Sequence, residues 1–179
     1  VLMKTGGTLY VSVMTIISSV RQILDTPIMA VTEGASPTIS YNYGAGRPQK
    51  ARKAIALMAV TAIVYTCFMW LVIEWFPLLF IRIFSDDPVL QQMALRPLHL
   101  YFFAFAFQAF QYSGQTTFKA LNKKRQAIFF SLFRKVIMVV PLTYLLPYAF
   151  HMGTDGVFIA EPVSNVIGGL ACFITMAVT

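Results

Sequence analysis

The chain has 179 residues, of which 58% are hydrophobic and 12% are charged, and its formal net charge is +7. With a mean hydropathy of +0.69, it has too few polar side chains to coat a globule of this size in water, which excludes an ordinary soluble domain. Its basic residues lie in short clusters between long apolar runs, which excludes a nucleic-acid-binding surface. The composition predicts an all-α polytopic membrane protein.

The first apolar run covers approximately residues 8–46. Roughly 20 helical residues cross the roughly 30 Å hydrocarbon layer, so this run must tilt, break or leave the membrane. Pro27 favours a kink and the sequence Gly-Ala-Ser-Pro at 34–37 favours a break, because proline removes a backbone donor and clashes with the preceding turn. Glu33, beside that break, is an acid in an apolar setting, where a charge is costly and usually functional.

Arg21 and Asp25 stand in the same run at an i, i+4 spacing, which predicts an intramembrane ion pair along one helical face. Two interpretations of this pair remain open. The charges either neutralise each other so that burial is tolerated, or take part in function.

A basic cluster precedes the second run, which covers approximately residues 54–76. The cluster consists of Arg47, Lys50, Arg52 and Lys53. The run ends in two tryptophans and a proline, as expected at a membrane surface. The sequence Ser-Asp-Asp-Pro at 85–88 then offers a capping residue and a proline suited to the first helical position. It predicts a helix over approximately 86–96 that lies on the membrane surface.

The third run covers approximately residues 97–118 and carries no charge. Gln108, Gln111 and Gln115 recur there at i, i+3 and i+7, which places three amides on one face of a helix. These amides either hydrogen-bond between helices or form a polar stripe along a cavity. Both interpretations remain open.

The fourth and fifth runs cover approximately residues 126–150 and 156–179. A second basic cluster, at 119–125, precedes the fourth run. Arg134 and Lys135 follow two to three turns into it, and we expect their long stems to reach back to the membrane surface. Because both basic clusters lie in alternate loops, they predict two cytoplasmic loops and five crossings, with the chain starting outside. The chain begins without methionine and ends inside an apolar run, so we expect a piece of a longer protein.

No motif for enzymatic chemistry is present. The sequence lacks a glycine-rich phosphate loop, an HExxH helix and a nucleophile elbow, and His99 and His151 stand alone. Cys67 and Cys172 lie in apolar runs without a metal-binding spacing and are expected to be packing residues. The sequence therefore predicts neither an enzyme nor a metal site, and no cofactor.

Four stretches carry a resemblance to a known family. They are Pro37-Thr-Ile-Ser-Tyr-Asn-Tyr-Gly-Ala-Gly-Arg47, then Phe110-Gln111 with Phe118-Lys-Ala-Leu-Asn-Lys123, then Ser131-Leu-Phe-Arg-Lys135 with Pro141 and Pro147, and Gly156-Val-Phe-Ile-Ala-Glu-Pro-Val-Ser-Asn165. In this order and spacing, the sequence resembles the multidrug and toxic compound extrusion (MATE) transporters. The resemblance implies that about five helices here form most of one six-helix lobe of a twelve-helix transporter, and that the amino-terminal lobe is missing.

The resemblance also implies a function. It predicts a secondary active transporter of a bacterial or archaeal plasma membrane that exports a small amphiphilic or cationic substrate in exchange for a proton or sodium ion. Glu33, Asn42, Gln108 and Gln111 are the predicted residues of the substrate and ion pathway. Gln108 is the nearest position to an acid of the sodium-coupled branch of that family. The alternatives are a flippase for lipid-linked precursors from the same superfamily and a membrane scaffold without a transport cycle. Membrane lipid is an expected partner, and nucleic acid is not.

Overall fold

The computed structural model describes residues 2–179, with the backbone alone at Leu2 and Thr5. Helices account for the fold, and no β-strand occurs within 2–179. The first half contains α1 (Leu2–Thr5), α2 (Gly7–Gly44), α3 (Pro48–Trp75), α4 (Pro77–Arg82) and α5 (Pro88–Phe102). The second half contains a 3-10 turn (Phe105–Phe107), α6 (Gln108–Ala120), α7 (Lys124–Leu132), a π-helical segment (Phe133–Val139), α8 (Val140–Tyr148) and α9 (Gly153–Val178).

Four segments are long and apolar enough to cross a membrane. They are Gly7–Gly44, Pro48–Trp75, Lys124–Tyr148 and Gly153–Val178. They correspond to the first, second, fourth and fifth predicted runs. The predicted class, an all-α polytopic membrane protein, is confirmed.

Helix α2 corrects the prediction of a break in the first run. It is continuous over 38 residues and contains both Pro27 and Pro37, whose side chains are exposed on its surface. At 1.5 Å per residue it is about 57 Å long, nearly twice the hydrocarbon thickness, so it must tilt or project from the membrane. It ends at Gly44, and Gly46 follows with a φ of 68°, a left-handed conformation that favours glycine. The end of the run, and not its middle, is where the chain turns.

The third run is divided at a different place from the one the sequence indicated. The Asp87 carboxylate accepts a hydrogen bond from the Val89 amide at 2.9 Å and caps α5, which confirms the predicted helix start. The helix then continues through Pro97 to Phe102, so the predicted boundary between a surface helix and a spanning helix at Pro97 is wrong. The interruption lies at 103–107 instead. With 15 and 13 residues, α5 and α6 are each too short to span the roughly 30 Å layer alone.

The core lies where α2, α3 and α5 meet. Val13, Ile17, Leu98 and Phe102 belong to one cluster of buried apolar side chains there. On the other side of α6, the rings of Phe118 and Phe130 stack at 5.8 Å and join α6 to α7. Helix α9 closes the bundle by packing against both α6 and α8.

Two glycines of α9 allow its neighbours to approach closely. A Cβ atom added at Gly169 would lie 2.7 Å from the Phe107 carbonyl oxygen, and one added at Gly156 would lie 2.8 Å from the Leu146 carbonyl carbon. Both neighbours are backbone atoms, which cannot rotate away. By contrast, a Cβ atom added at Gly34 on α2 would meet nothing within 4 Å.

We expect Gly169→Ala and Gly156→Ala to lower the free energy of unfolding by about 1–3 kcal/mol each, because the added methyl group overpacks α9 against fixed backbone. The matched control is Gly34→Ala, which should be neutral or stabilising by up to about 1 kcal/mol because alanine is the better helix former. Thermal unfolding of the full-length protein in detergent measures all three. Equal melting temperatures would contradict the close packing of α9.

Candidate site: a buried charge network

Arg21 is at the centre of a polar network inside the helix bundle. Its Nη1 donates a hydrogen bond to Glu161 Oε1 at 2.7 Å and to the Tyr101 hydroxyl at 2.6 Å. Its Nε donates to Asp25 Oδ2 at 3.3 Å. One guanidinium therefore joins α2 to α5 and α9, using the several donors in a fixed plane that arginine provides.

Asp25 accepts hydrogen bonds from α6 as well. The Gln108 amide nitrogen donates to its two carboxylate oxygens at 2.8 and 2.9 Å, and the Tyr112 hydroxyl donates at 3.3 Å. With Arg21, three side chains donate to this one carboxylate. Such donors offset the cost of removing a charge from water.

Arg134 completes the network from the π-helical segment. Its Nη1 donates to Glu161 Oε1 at 3.3 Å and to the side-chain oxygen of Asn165. Glu161 and Asn165 lie one turn apart on α9, so they present two acceptors on the same face.

The network contains two arginines and two carboxylates, so its formal charges cancel. The exposed fraction of these four side chains is between 8% and 19%. At 1.5 Å per residue, Glu161 lies about 12 Å along α9 from Gly153, and Arg134 lies about 15 Å along its helical segment from Lys124. These two distances place the network well inside both segments, away from their ends.

The structure brings together only some of the residues that the sequence singled out. Arg21, Asp25 and Gln108 meet in the network. Gln111 is buried nearby on α6, and neither atom of its side-chain amide has a hydrogen-bond partner among the described residues. Its place in the predicted pathway therefore remains a prediction.

Glu33 and Asn42 lie outside the network, nearer the carboxyl end of α2. The Glu33 carboxylate is half exposed and accepts a hydrogen bond from Lys119 Nζ at 3.1 Å. The Asn42 amide donates to the Thr38 carbonyl of its own helix at 2.8 Å. Their predicted roles in the pathway stay predictions.

The expected position of Arg134 is corrected by the structure. Instead of reaching back to the membrane surface, its side chain is 8% exposed and points to Glu161. Lys135, its neighbour, is exposed, and its reach to the membrane surface stays a prediction. Two acceptors at an i, i+4 spacing on α9, Glu161 and Asn165, were the sequence signal for a buried cation, but nothing indicated which of the basic residues would meet them.

A cavity of about 250 Å³ lies beside the network, and we call it the basic pocket. It is lined by Met29, Glu33, Tyr112, Gln115, Thr116, Lys119, Ser131, Arg134 and Lys135. Two of these residues, Tyr112 and Arg134, also belong to the network. A larger groove of about 770 Å³ between α2 and α8 has no charged residue among those described as lining it. The charged chemistry is therefore concentrated in the network and the basic pocket.

No metal site is indicated by the described side chains. Within residues 2–179, no three His, Cys, Asp or Glu side chains lie close enough to hold an ion together. The helices and the network together identify the class of protein. It is an integral helical membrane protein with a polar interior site, in which two arginines and two carboxylates balance in charge.

Comparison with known proteins identifies the family. The sequence profile of the MatE family matches residues 1–145. The chain belongs to the MatE family, which confirms the resemblance stated from its motifs. The FAD transporter of Shewanella oneidensis is 27% identical over 154 residues, which are 86% of this chain and 33% of that protein.

Solved structures show the same fold. A crystal structure of MATE in the bent conformation has a TM-score of 0.93 at 17% identity. The match covers 99% of this chain and 39% of the solved chain. The inward-facing conformation of a multidrug resistance MATE family transporter has a TM-score of 0.88 at 16% identity, with coverages of 98% and 41%. This chain thus spans about a third of the curated relative and about two fifths of the solved chains. That share agrees with one lobe of a larger protein.

We expect Arg21→Gln to lower the free energy of unfolding by about 3–5 kcal/mol, because it leaves the buried Asp25 carboxylate without a cationic partner and Glu161 with Arg134 alone. The matched control is Arg96→Gln, which removes a 2.7 Å ion pair with Asp155 that has its arginine 77% exposed. Such a surface pair is worth less than about 1 kcal/mol. Equal losses of stability in the two variants would contradict a buried network.

Proposed function

We propose that the full-length protein is a secondary active transporter that exports a small amphiphilic or cationic substrate in exchange for an inward-moving proton or sodium ion. This chain supplies most of one lobe of that transporter, and the second lobe is its partner. The observation that carries the proposal is the buried network of Arg21, Asp25, Arg134 and Glu161. Family membership supports transport over catalysis.

The physical argument starts from the cost of the network. Each charge at the membrane centre costs roughly 2.5–3.5 kcal/mol on insertion scales, and apolar residues would fill the same space more cheaply. Charges kept in such a place usually line a route for ions or substrates. A proton or sodium ion that bound Asp25 or Glu161 would compete with the arginine for the same oxygen atoms. Ion binding would thereby loosen contacts between α2, α9 and the π-helical segment.

In this proposal, Asp25 and Glu161 couple the binding of the ion to the movement of the helices. Asp25 touches α6 through Gln108 and Tyr112, whereas Glu161 touches both arginines. A change at either carboxylate reaches several helices at once. This is the arrangement that a gradient-driven rocking of helices would require.

A second candidate function is the transport of a phosphate-bearing substrate, such as a lipid-linked precursor. The basic pocket favours it, because Lys119, Arg134 and Lys135 line that cavity against the single carboxylate of Glu33. The FAD transporter of Shewanella oneidensis adds support, since FAD carries phosphate groups. A scaffold without a transport cycle has no comparable observation in its favour.

We expect Asp25→Asn and Glu161→Gln each to slow gradient-driven transport at least tenfold in proteoliposomes of the full-length protein, because each removes a site where the coupling ion competes with arginine. The assay follows a fluorescent organic cation under an imposed proton or sodium gradient. Arg96→Gln is the control and should transport at the normal rate. Folding of each variant is checked by its melting temperature. Normal gradient-driven transport by both folded carboxylate variants would contradict the proposed coupling.

Glu33→Gln tests the charge of the substrate. If Glu33 binds a cationic substrate or the coupling proton, the variant should lose dye efflux, and the pH dependence of efflux should flatten. Cells or proteoliposomes carrying the full-length protein are assayed over a range of pH, with Asp86→Asn as a control for an exposed acid outside the bundle. Efflux that matched the wild type at every pH would exclude the role assigned to Glu33.

A further inference from the structure

The basic pocket has the donors that a phosphate group requires. Three cations face it from α6 and the π-helical segment, namely Lys119, Arg134 and Lys135, against one acid, Glu33. Hydroxyl and amide groups add further donors, and they belong to Tyr112, Gln115, Thr116 and Ser131. Charge-assisted hydrogen bonds to phosphate oxygens are strong, and arginine can make two at once. Because three cations line the pocket against one carboxylate, an anion fits it better than a cation.

The size of the pocket suits a phosphate group with part of its substituent. Its 250 Å³ equals the share of liquid volume of about eight water molecules. Lys119 and Glu33 at its mouth have side chains that are 56% and 51% exposed, whereas Arg134 at its inner end is 8% exposed. The pocket therefore leads from an accessible entrance near the second basic cluster to the buried network.

Two residues connect the pocket to the network. Arg134 lines the pocket and donates to Glu161 at 3.3 Å, and Tyr112 lines the pocket and donates to Asp25 at 3.3 Å. Both distances exceed the normal hydrogen-bond range, so these two contacts are weak and a better acceptor can compete for either donor. A phosphate oxygen with its greater negative charge is such an acceptor.

We propose that the basic pocket binds the phosphate group of a nucleotide or of a lipid headgroup, and that Arg134 is shared between this phosphate and Glu161. Lys119 and Lys135 bind the phosphate at the entrance, where the Glu33 carboxylate competes with it for the same cations. This inference rests on the phosphate-bearing substrate of the second candidate function, but binding itself requires no transport.

The test uses purified full-length protein in phosphatidylcholine nanodiscs, titrated calorimetrically with ADP. Lys119→Gln and Lys135→Gln should each weaken ADP binding about three- to tenfold, as expected for partly exposed cations. The matched control is Lys124→Gln, an exposed lysine of the same cluster outside the pocket, which should leave affinity unchanged. Glu33→Gln and Glu161→Gln should tighten binding, because each removes a carboxylate that competes for the same cations. A purely structural role of these acids would not improve affinity.

The second arm distinguishes the source of the phosphate. The same variants are extracted from vesicles of equal parts phosphatidylglycerol and phosphatidylcholine, and the retained lipid is counted by native mass spectrometry. ADP binding with the expected variant pattern supports a nucleotide, and selective retention of phosphatidylglycerol with that pattern supports a lipid headgroup. Absence of both, or an equal effect of Lys124→Gln and Lys135→Gln, overturns the site.

Failure of this site and failure of the transport proposal give different results. If the lysine variants bind normally while gradient-driven transport persists, the basic pocket is not the phosphate site and the transport proposal stands. If ADP or phosphatidylglycerol binds with the expected pattern but no gradient drives transport, the site stands and the transport proposal fails.

Discussion

The cost of charge in hydrocarbon is the constraint on which the interior of this bundle depends. Arg21, Asp25, Arg134 and Glu161 can be buried together because each has an opposite charge and neutral donors or acceptors around it. Glu161 Oε1 accepts from both arginines and is the atom that the two halves of the network share. Displacing one arginine would therefore change the electrostatic balance of the other.

The backbone around Arg134 leaves room for this buried cation at close range. A Cβ atom added at Gly168 would lie 3.2 Å from the Arg134 Cγ atom, so the arginine stem passes directly over a glycine of α9. Arg134 and Lys135 are consecutive residues of the π-helical segment, and consecutive residues of a helix project in different directions. Consecutive basic residues thus have opposite environments, one in the network and one at the surface of the bundle.

Features that depend on local composition could be predicted from the sequence, and features that depend on distant partners could not. Hydropathy located the four segments that are long enough to span but not the division of the third run, and the i, i+4 spacing of Arg21 and Asp25 indicated their pair. The continuity of α2 through Pro27 and Pro37 was missed, because the tolerance of a helix for proline depends on its surroundings. The burial of Arg134 was missed for a related reason. Its partners lie on another helix, so no local sequence pattern around Arg134 indicated them.

Under the proposed transport function, the charge of the substrate would determine the sign of coupling through this network. A cation and a proton would compete for the same carboxylate, so each would weaken binding of the other, and exchange would follow. A phosphate would instead compete with Glu161 for Arg134 and leave that carboxylate less compensated. Proton or sodium binding at Glu161 would then be favoured by the phosphate, and by reciprocity the ion would favour the phosphate. Antiport and cotransport would therefore require opposite charges on the substrate, with a cation competing for a carboxylate and a phosphate competing for Arg134, and the sign of the measured linkage would identify which group competes.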